Sequence, residues 1–263
     1  MLSSIAISSG KGGVGKTILA VNLSLELARN SGKTVLFDGD FGLSNAHVLL
    51  RAAPEKTLYD VLEGSISARD AIHWLPGGLG LIGGSSGATN MLDVNSDEVH
   101  SLIRAVNPAL DDVSYLVVDT AAGAEDEILS TMAACERVVV VLLAQATSFL
   151  DAYSLIKAAH QEKGLEHFNI VVNMIDSAQA AEATFRRFEQ ANSRFMGVKL
   201  HYCGYLPRTA AIQSSVAQRI PFMTEDHSRE EARAIRHITQ AILDSPKNEF
   251  AGIRFQRYQS DEA

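Results

Sequence analysis

The stretch Ser8-Ser9-Gly10-Lys11-Gly12-Gly13-Val14-Gly15-Lys16-Thr17 restricts this chain to few folds. A short apolar run, Ile5-Ala6-Ile7, leads into it, and a helical pattern of Leu19, Val21, Leu23 and Leu27 leads out. A strand that turns through glycines into a helix N-terminus cradles a phosphate, and Gly10, Gly15, Lys16 and Thr17 fit the G-x-x-x-x-G-K-[ST] template. Gly12, Gly13 and Gly15 have no Cβ, so backbone N–H groups come close to anionic oxygens. The helix that opens near Lys16 turns its positive dipole end on the same anion. Lys16 is placed to reach the β- and γ-phosphates of a nucleotide, and the Thr17 hydroxyl to hold Mg²⁺. The expected nucleotide contacts of the loop are therefore Gly12, Gly13, Val14, Gly15, Lys16 and Thr17.

Two later strand ends supply carboxylates. Thr34-Val35-Leu36-Phe37 reads as a buried strand ending in Asp38-Gly39-Asp40, and Tyr115-Leu116-Val117-Val118 as another ending in Asp119. Magnesium keeps several waters in its shell and carboxylates hold those waters, so Thr17, Asp38 and Asp119 form the expected metal set.

The strand-then-helix alternation recurs about seven times. Val138 to Leu143 is apolar throughout, as in strands covered on both faces, and Asn169 to Asn173 and Leu200 to Leu206 read as further strands. Helices are expected at Thr57–Gly64 with a threonine cap, Ser67–Ile72, Ser96–Val106 with Ser96 as cap, Ser148–Lys163, Gln179–Phe195 and Ser228–Leu243. Leu79 to Gly83 is a brief strand entering a Gly84-Ser85-Ser86-Gly87 loop. The fold class is α/β: a single-domain P-loop NTPase with a mostly parallel sheet and helices on both faces. No linker splits the chain, so residues 1–245 are expected to form the ATPase domain and 246–263 a tail.

Composition narrows the function. A formal net charge of −8 over 263 residues argues against direct nucleic-acid binding. Cys135 and Cys203 lack Cys-x-x-Cys spacing and read as buried thiols in a reducing cytosol. No signal peptide is evident, and no apolar run approaches the roughly 20 residues needed to span a bilayer. The expected location is cytoplasmic.

The second lysine, giving Lys11-Gly12-Gly13-Val14-Gly15-Lys16-Thr17, resembles the deviant Walker A signature of the MinD/ParA family. That resemblance implies an ATP-bound homodimer in which Lys11 reaches phosphates held by the other subunit. It assigns Asp40, in the switch-like stretch Phe41-Gly42-Leu43-Ser44-Asn45-Ala46, to orienting the attacking water, and Gly123 in Thr120-Ala121-Ala122-Gly123 to sensing the γ-phosphate. The implied catalytic residues are Lys11, Lys16 and Asp40. The adenine would meet Asn173, whose amide matches the N6/N7 edge, and the loop of Pro207 and Arg208. Asn173 as a strand-end residue capping the next loop is the alternative reading.

Thr57-Leu58-Tyr59-Asp60-Val61-Leu62-Glu63-Gly64, Pro76-Gly77-Gly78-Leu79, Val172-Asn173-Met174 and the run from Ser148 to Lys157 resemble the FlhG/FleN branch, which sets flagellar number and placement. The resemblance covers about Ile5 to Met223. It implies a slow ATPase switch with flagellar partners: an FlhF-like GTPase, a transcription activator or switch-complex proteins. MinD/ParA-type division-site or cargo positioning, and a sequestering module without hydrolysis, are the alternatives. Three departures stand out: the chain enters its first strand by Ile5 without the branch's usual N-terminal extension, Arg208-Thr209 follows Pro207 where an acidic residue is usual, and Gln145 replaces a frequent glutamate. Asn248 to Gln259 carries Phe250, Ile253, Phe255 and Tyr258, with Arg254 interrupting the apolar side of a helical wheel. Two readings of that tail stand side by side, peripheral contact with the inner membrane face and packing on its own domain.

Overall fold

A computed structural model describes residues 2–41, 45–83, 95–193, 197–225, 228–249 and 252–257. In chain order the elements are β1 (Ser3–Ser9), α1 (Lys16–Asn30), β2 (Thr34–Gly39), α2 (Ala46–Leu49), α3 (Leu58–Leu62), α4 (Ala68–Ala71), β3 (His73–Trp74), β4 (Leu79–Ile82) and α5 (Ser96–Val106). They continue as β5 (Tyr115–Ala122), α6 (Asp126–Ala133), β6 (Arg137–Leu143), α7 (Ala146–Lys163), β7 (His167–Ile175), α8 (Ala178–Ser193), β8 (Lys199–Pro207), α9 (Ala210–Gln218) and α10 (Glu230–Asp244).

The strands form an eight-stranded sheet in the order β3-β4-β2-β5-β1-β6-β7-β8. All neighbours are parallel except β3 and β4. The sequence reading missed β3. It is two residues long, and its antiparallel return is set by Gly77 and Gly78, whose φ values of 88° and 85° suit a tight hairpin turn.

Burial explains the strand sequences. Along β6, Val138, Val140 and Leu142 enter one apolar layer with α5, α6 and α7, while Val139 and Val141 enter the other with α1 and α10. Both faces are covered, so the strand has no polar alternation to display. Helix ends follow local chemistry. Thr57 caps α3 through Asp60 in a reciprocal capping box, as expected. The expected Ser96 cap is corrected to Asn95, whose side chain accepts from Asp97 and Glu98 N–H while Glu98 returns to the Asn95 backbone. Asparagine caps as well as serine, and the glutamate three residues on decides between them. Gly164, at φ 70°, ends α7.

The C-terminal edge of the parallel strands carries the site, and the described residues after α10 are anchored elsewhere. Buried Arg137 donates to the carbonyls of Leu243 (2.9 Å) and Ser245 (3.3 Å) at the end of α10 and to Ser3 Oγ (3.0 Å). A guanidinium at a helix C-terminus meets both its free carbonyls and its dipole. Asn248 accepts from Glu166 and His167 N–H and donates to the His167 carbonyl. Asn107 donates to the Arg254 carbonyl and accepts from Gln256 N–H. Between these anchors Phe255 is 3% exposed, its ring 5.7 Å from that of Phe37 on β2. Phe255→Ala is therefore expected to destabilise the fold by about 3 kcal/mol, the low end for a buried phenylalanine because the tail can close on the gap. Urea denaturation of variant and wild type checks this, and an unchanged midpoint would show that the strap contributes nothing.

Among the described residues no helix is long and apolar enough to cross a membrane. Cys135 and Cys203 are buried free thiols, and burial pushes the Cys203 thiol up to about 12.

Candidate nucleotide site

The loop between β1 and α1 is built from its glycines and one anchor. Val14 is fully buried and pins the loop to the core, while Gly13 (φ 76°) and Gly15 (φ 93°) take left-handed turns on either side of it. Gly15 is the residue from which α1 starts, with no side-chain cap, so the first N–H groups of the helix are left for another acceptor. Gly10 answers a different demand. A Cβ there would lie 2.1 Å from the Asp151 carbonyl oxygen, so only glycine lets α7 pack this close to the loop.

The strand register brings the carboxylates to the loop. Asp38 on β2 and Asp119 on β5 are paired across neighbouring strands, and Ile7 on β1 pairs with Asp119 from the other side. Asp119 is 1% exposed, accepts from the Thr17 hydroxyl, and its Oδ1 has no hydrogen-bond partner. Burial and then the charge of Asp38 push its carboxyl up to about 8. Lys16 is buried, which lowers its pKa, while Asp119 and Asp40 act against that shift. Two buried carboxylates beside one hydroxyl, with an oxygen unpaired, suit a divalent cation that the protein alone does not replace. The residues present therefore fit magnesium.

Asp38 has a further duty. Its Oδ1 accepts from Asp40 N–H at 3.3 Å and its Oδ2 from Ala46 N–H at 3.0 Å, so Asp38 holds the backbone at Asp40 and at Ala46. Gly42, Leu43 and Ser44 of the switch-like segment, and the Gly84-Ser85-Ser86-Gly87 loop, lie outside the described residues. On the β5 side, Thr120 and Ser8 share a hydroxyl contact of 2.8 Å, and Gly123 N–H donates to the Ser9 carbonyl at 3.1 Å. The stretch after Asp119 is thus tied directly to the phosphate loop.

Lys11 does not stand free. Its ammonium donates to Thr147 Oγ1 at 3.1 Å and Gln145 Oε1 at 3.4 Å at the start of α7. Sequence reading did not find Thr147; its only signal is a hydroxyl in the first turn of a helix. Asn173, Pro207 and Arg208 are gathered at the ends of β7 and β8, where Ile175 pairs with Pro207. The side chains of Asn173 and Arg208 are engaged with protein. Asn173 Nδ2 donates to the Val14 carbonyl, and the Arg208 guanidinium donates to the Met174 carbonyl at 2.9 Å and pairs with Asp176 at 3.6 Å. Thr209, the other departure, caps α9.

Comparison with known proteins agrees with this geometry. Residues 5–222 match the model of the CobQ/CobB/MinD/ParA nucleotide binding domain. The chain is 37% identical over 215 residues to the antiactivator FleN of Pseudomonas aeruginosa, covering 82% of this chain and 77% of that protein. It is 30% identical over 216 residues to the flagellum site-determining protein YlxH of Helicobacter pylori, covering 82% and 73%. The fold matches that of the septum site-determining protein MinD of Pyrococcus horikoshii complexed with Mg-ADP, with a TM-score of 0.75, 21% identity and coverage of 93% and 96%. On the loop, the paired carboxylates and these likenesses, the chain belongs to the CobQ/CobB/MinD/ParA nucleotide-binding family, in its FlhG/FleN branch.

Proposed function

We propose that this chain is an ATP-operated dimerisation switch that hydrolyses ATP slowly and regulates flagellar number and placement. The observation that carries the reading is the unpartnered, buried Asp119 oxygen beside Thr17, Asp38 and Lys16, next to a loop whose helix N-terminus is uncapped. Thr17 and Asp119 would hold Mg²⁺, with Asp38 steadying its water shell. Bound there, magnesium would neutralise charge on the β- and γ-phosphates.

The protein's own groups then divide the work. Gly12 to Thr17 offer N–H groups and the Lys16 ammonium to the phosphates. Asp40, half-buried and electrostatically coupled to Lys16, orients the attacking water. Lys11 is kept on neutral, exposed partners, and an ammonium bonds more strongly to an anionic phosphate oxygen than to a neutral one, so it transfers to phosphates of a second subunit. Positioning and charge carry the catalysis, and slow turnover lets the bound dimer persist as the signal.

The two flagellar relatives support the flagellar reading, and FleN's description as an antiactivator favours a transcription activator as the partner. Contact with an FlhF-like GTPase, switch-complex proteins or the inner membrane face belongs to the same proposal. Deleting the gene in its host and counting flagella and minicells by electron microscopy tests it. Altered flagellar number with normal division is the expected result. Minicells with normal flagella would transfer the switch to division-site control.

A further inference from the structure

We propose that Asn173 is a positioning residue for the phosphate loop, holding the Val14–Gly15 peptide in its phosphate-facing orientation. The proposal rests on the reading of this loop as a triphosphate site, and it gives Asn173 a role separate from recognising a base.

Asn173 closes the buried part of β7 and is 3% exposed. Its Nδ2 donates to the Val14 carbonyl at 2.7 Å, and its Oδ1 accepts from Met174 N–H at 2.7 Å. These two bonds fix the amide's orientation. Turning it over would set N–H against N–H at one end and oxygen against oxygen at the other. Met174 stands at φ 55°, an unusual conformation for a non-glycine residue, and the bond from its N–H to Oδ1 fixes the plane of the peptide that leads into it.

The consequence for the loop follows from peptide planarity. In a trans peptide the C=O and N–H point in opposite directions. Fixing the Val14 carbonyl toward Asn173 therefore turns the Gly15 N–H away from β7. Gly15 begins α1, where N–H groups meet an anion. Contact between the two residues is close: a Cβ on Gly15 would lie 2.3 Å from Asn173 Nδ2. The amide thus fills the space that glycine leaves open, and loop and strand end lock together. Without the amide, the buried carbonyl would lose its partner and the peptide could rotate to find another.

A base-reading residue and a loop-positioning residue predict different losses. Asn173→Ala should weaken binding of the Mg²⁺ complexes of a non-hydrolysable ATP analogue, the matching GTP analogue and inorganic tripolyphosphate by a similar factor, about tenfold each. Isothermal titration calorimetry on the full chain reads all three, and a thermal melt confirms that the variant is folded. If Asn173→Ala does not fold, Asn173→Ser serves, since it keeps a polar atom at the strand end but is too short to span to Val14. A loss confined to the ATP analogue, with tripolyphosphate binding unchanged, would overturn the proposal in favour of base recognition. Unchanged affinity for all three would overturn it outright. A wild-type chain that binds none of the three would instead overturn the triphosphate reading of the loop, and this proposal with it.

Discussion

Asp40→Ala is expected to bind ATP, dimerise and then stay dimeric, because hydrolysis falls by about 100-fold while the phosphate loop is untouched. The asymmetry comes from where Asp40 stands. Its backbone N–H, which alanine keeps, supplies the bond to Asp38 Oδ1. Its side chain is half-buried and acts on Lys16 through charge rather than by filling the core. Removing the carboxylate therefore leaves Asp38, Thr17 and Asp119 in place and takes away the group assigned to the water. Light scattering in saturating ATP, alongside phosphate release, measures both halves. A variant that hydrolyses ATP at the wild-type rate would dismiss Asp40 from catalysis. One that stays monomeric in ATP would show that Asp40 is needed to form the dimer rather than to end it. Under the proposed switch Lys11 enters the same experiment, since it would leave its neutral partners Gln145 and Thr147 to reach a second subunit.

The phosphate loop was legible because its constraint is local. Glycine spacing, a preceding apolar run and a following helix lie within one stretch, and the expected contacts are those of the backbone. Asp38 and Asp119 were legible for a related reason: each ends an apolar strand, and in a parallel sheet those ends converge on one edge. What sequence could not provide was the use of side chains across the fold. Asn173 satisfied both readings offered for it, base contact and strand-end cap, because periodicity does not reveal that a carbonyl 159 residues earlier is its partner. Arg208 was read as part of the loop that meets the adenine, yet its guanidinium donates to the Met174 carbonyl and pairs with Asp176. The tail was hidden in the same way. Its poor helical pattern said only that it is not a strong amphipathic helix, whereas Asn248 and Phe255 find their partners on β7, β2 and the loop before β6. Long-range pairings of single residues leave no periodic signal to read.

Asp119→Asn is expected to move stability and activity in opposite directions. In the nucleotide-free chain the wild-type carboxylate is buried, faces the charge of Asp38 and leaves one oxygen unpaired. An amide of the same shape carries no charge to desolvate, so the variant should be more stable by about 1–3 kcal/mol. The pH dependence fixes the sign. A carboxyl raised from 3.8 to about 8 favours its protonated form in the fold, so its contribution is complete below its unfolded pKa and lost as pH rises through about 8. The gap in melting temperature between variant and wild type should therefore widen from pH 5 to pH 8. Catalysis goes the other way. An amide holds a divalent cation and its waters weakly, and a loss of about 100-fold or more in Mg²⁺-dependent phosphate release is expected. A variant that is less stable at pH 8 would mean that the carboxylate is satisfied in the free protein. Full activity in the variant would mean that Asp119 holds no metal, and that the conflict at the centre of this site serves something other than nucleotide hydrolysis.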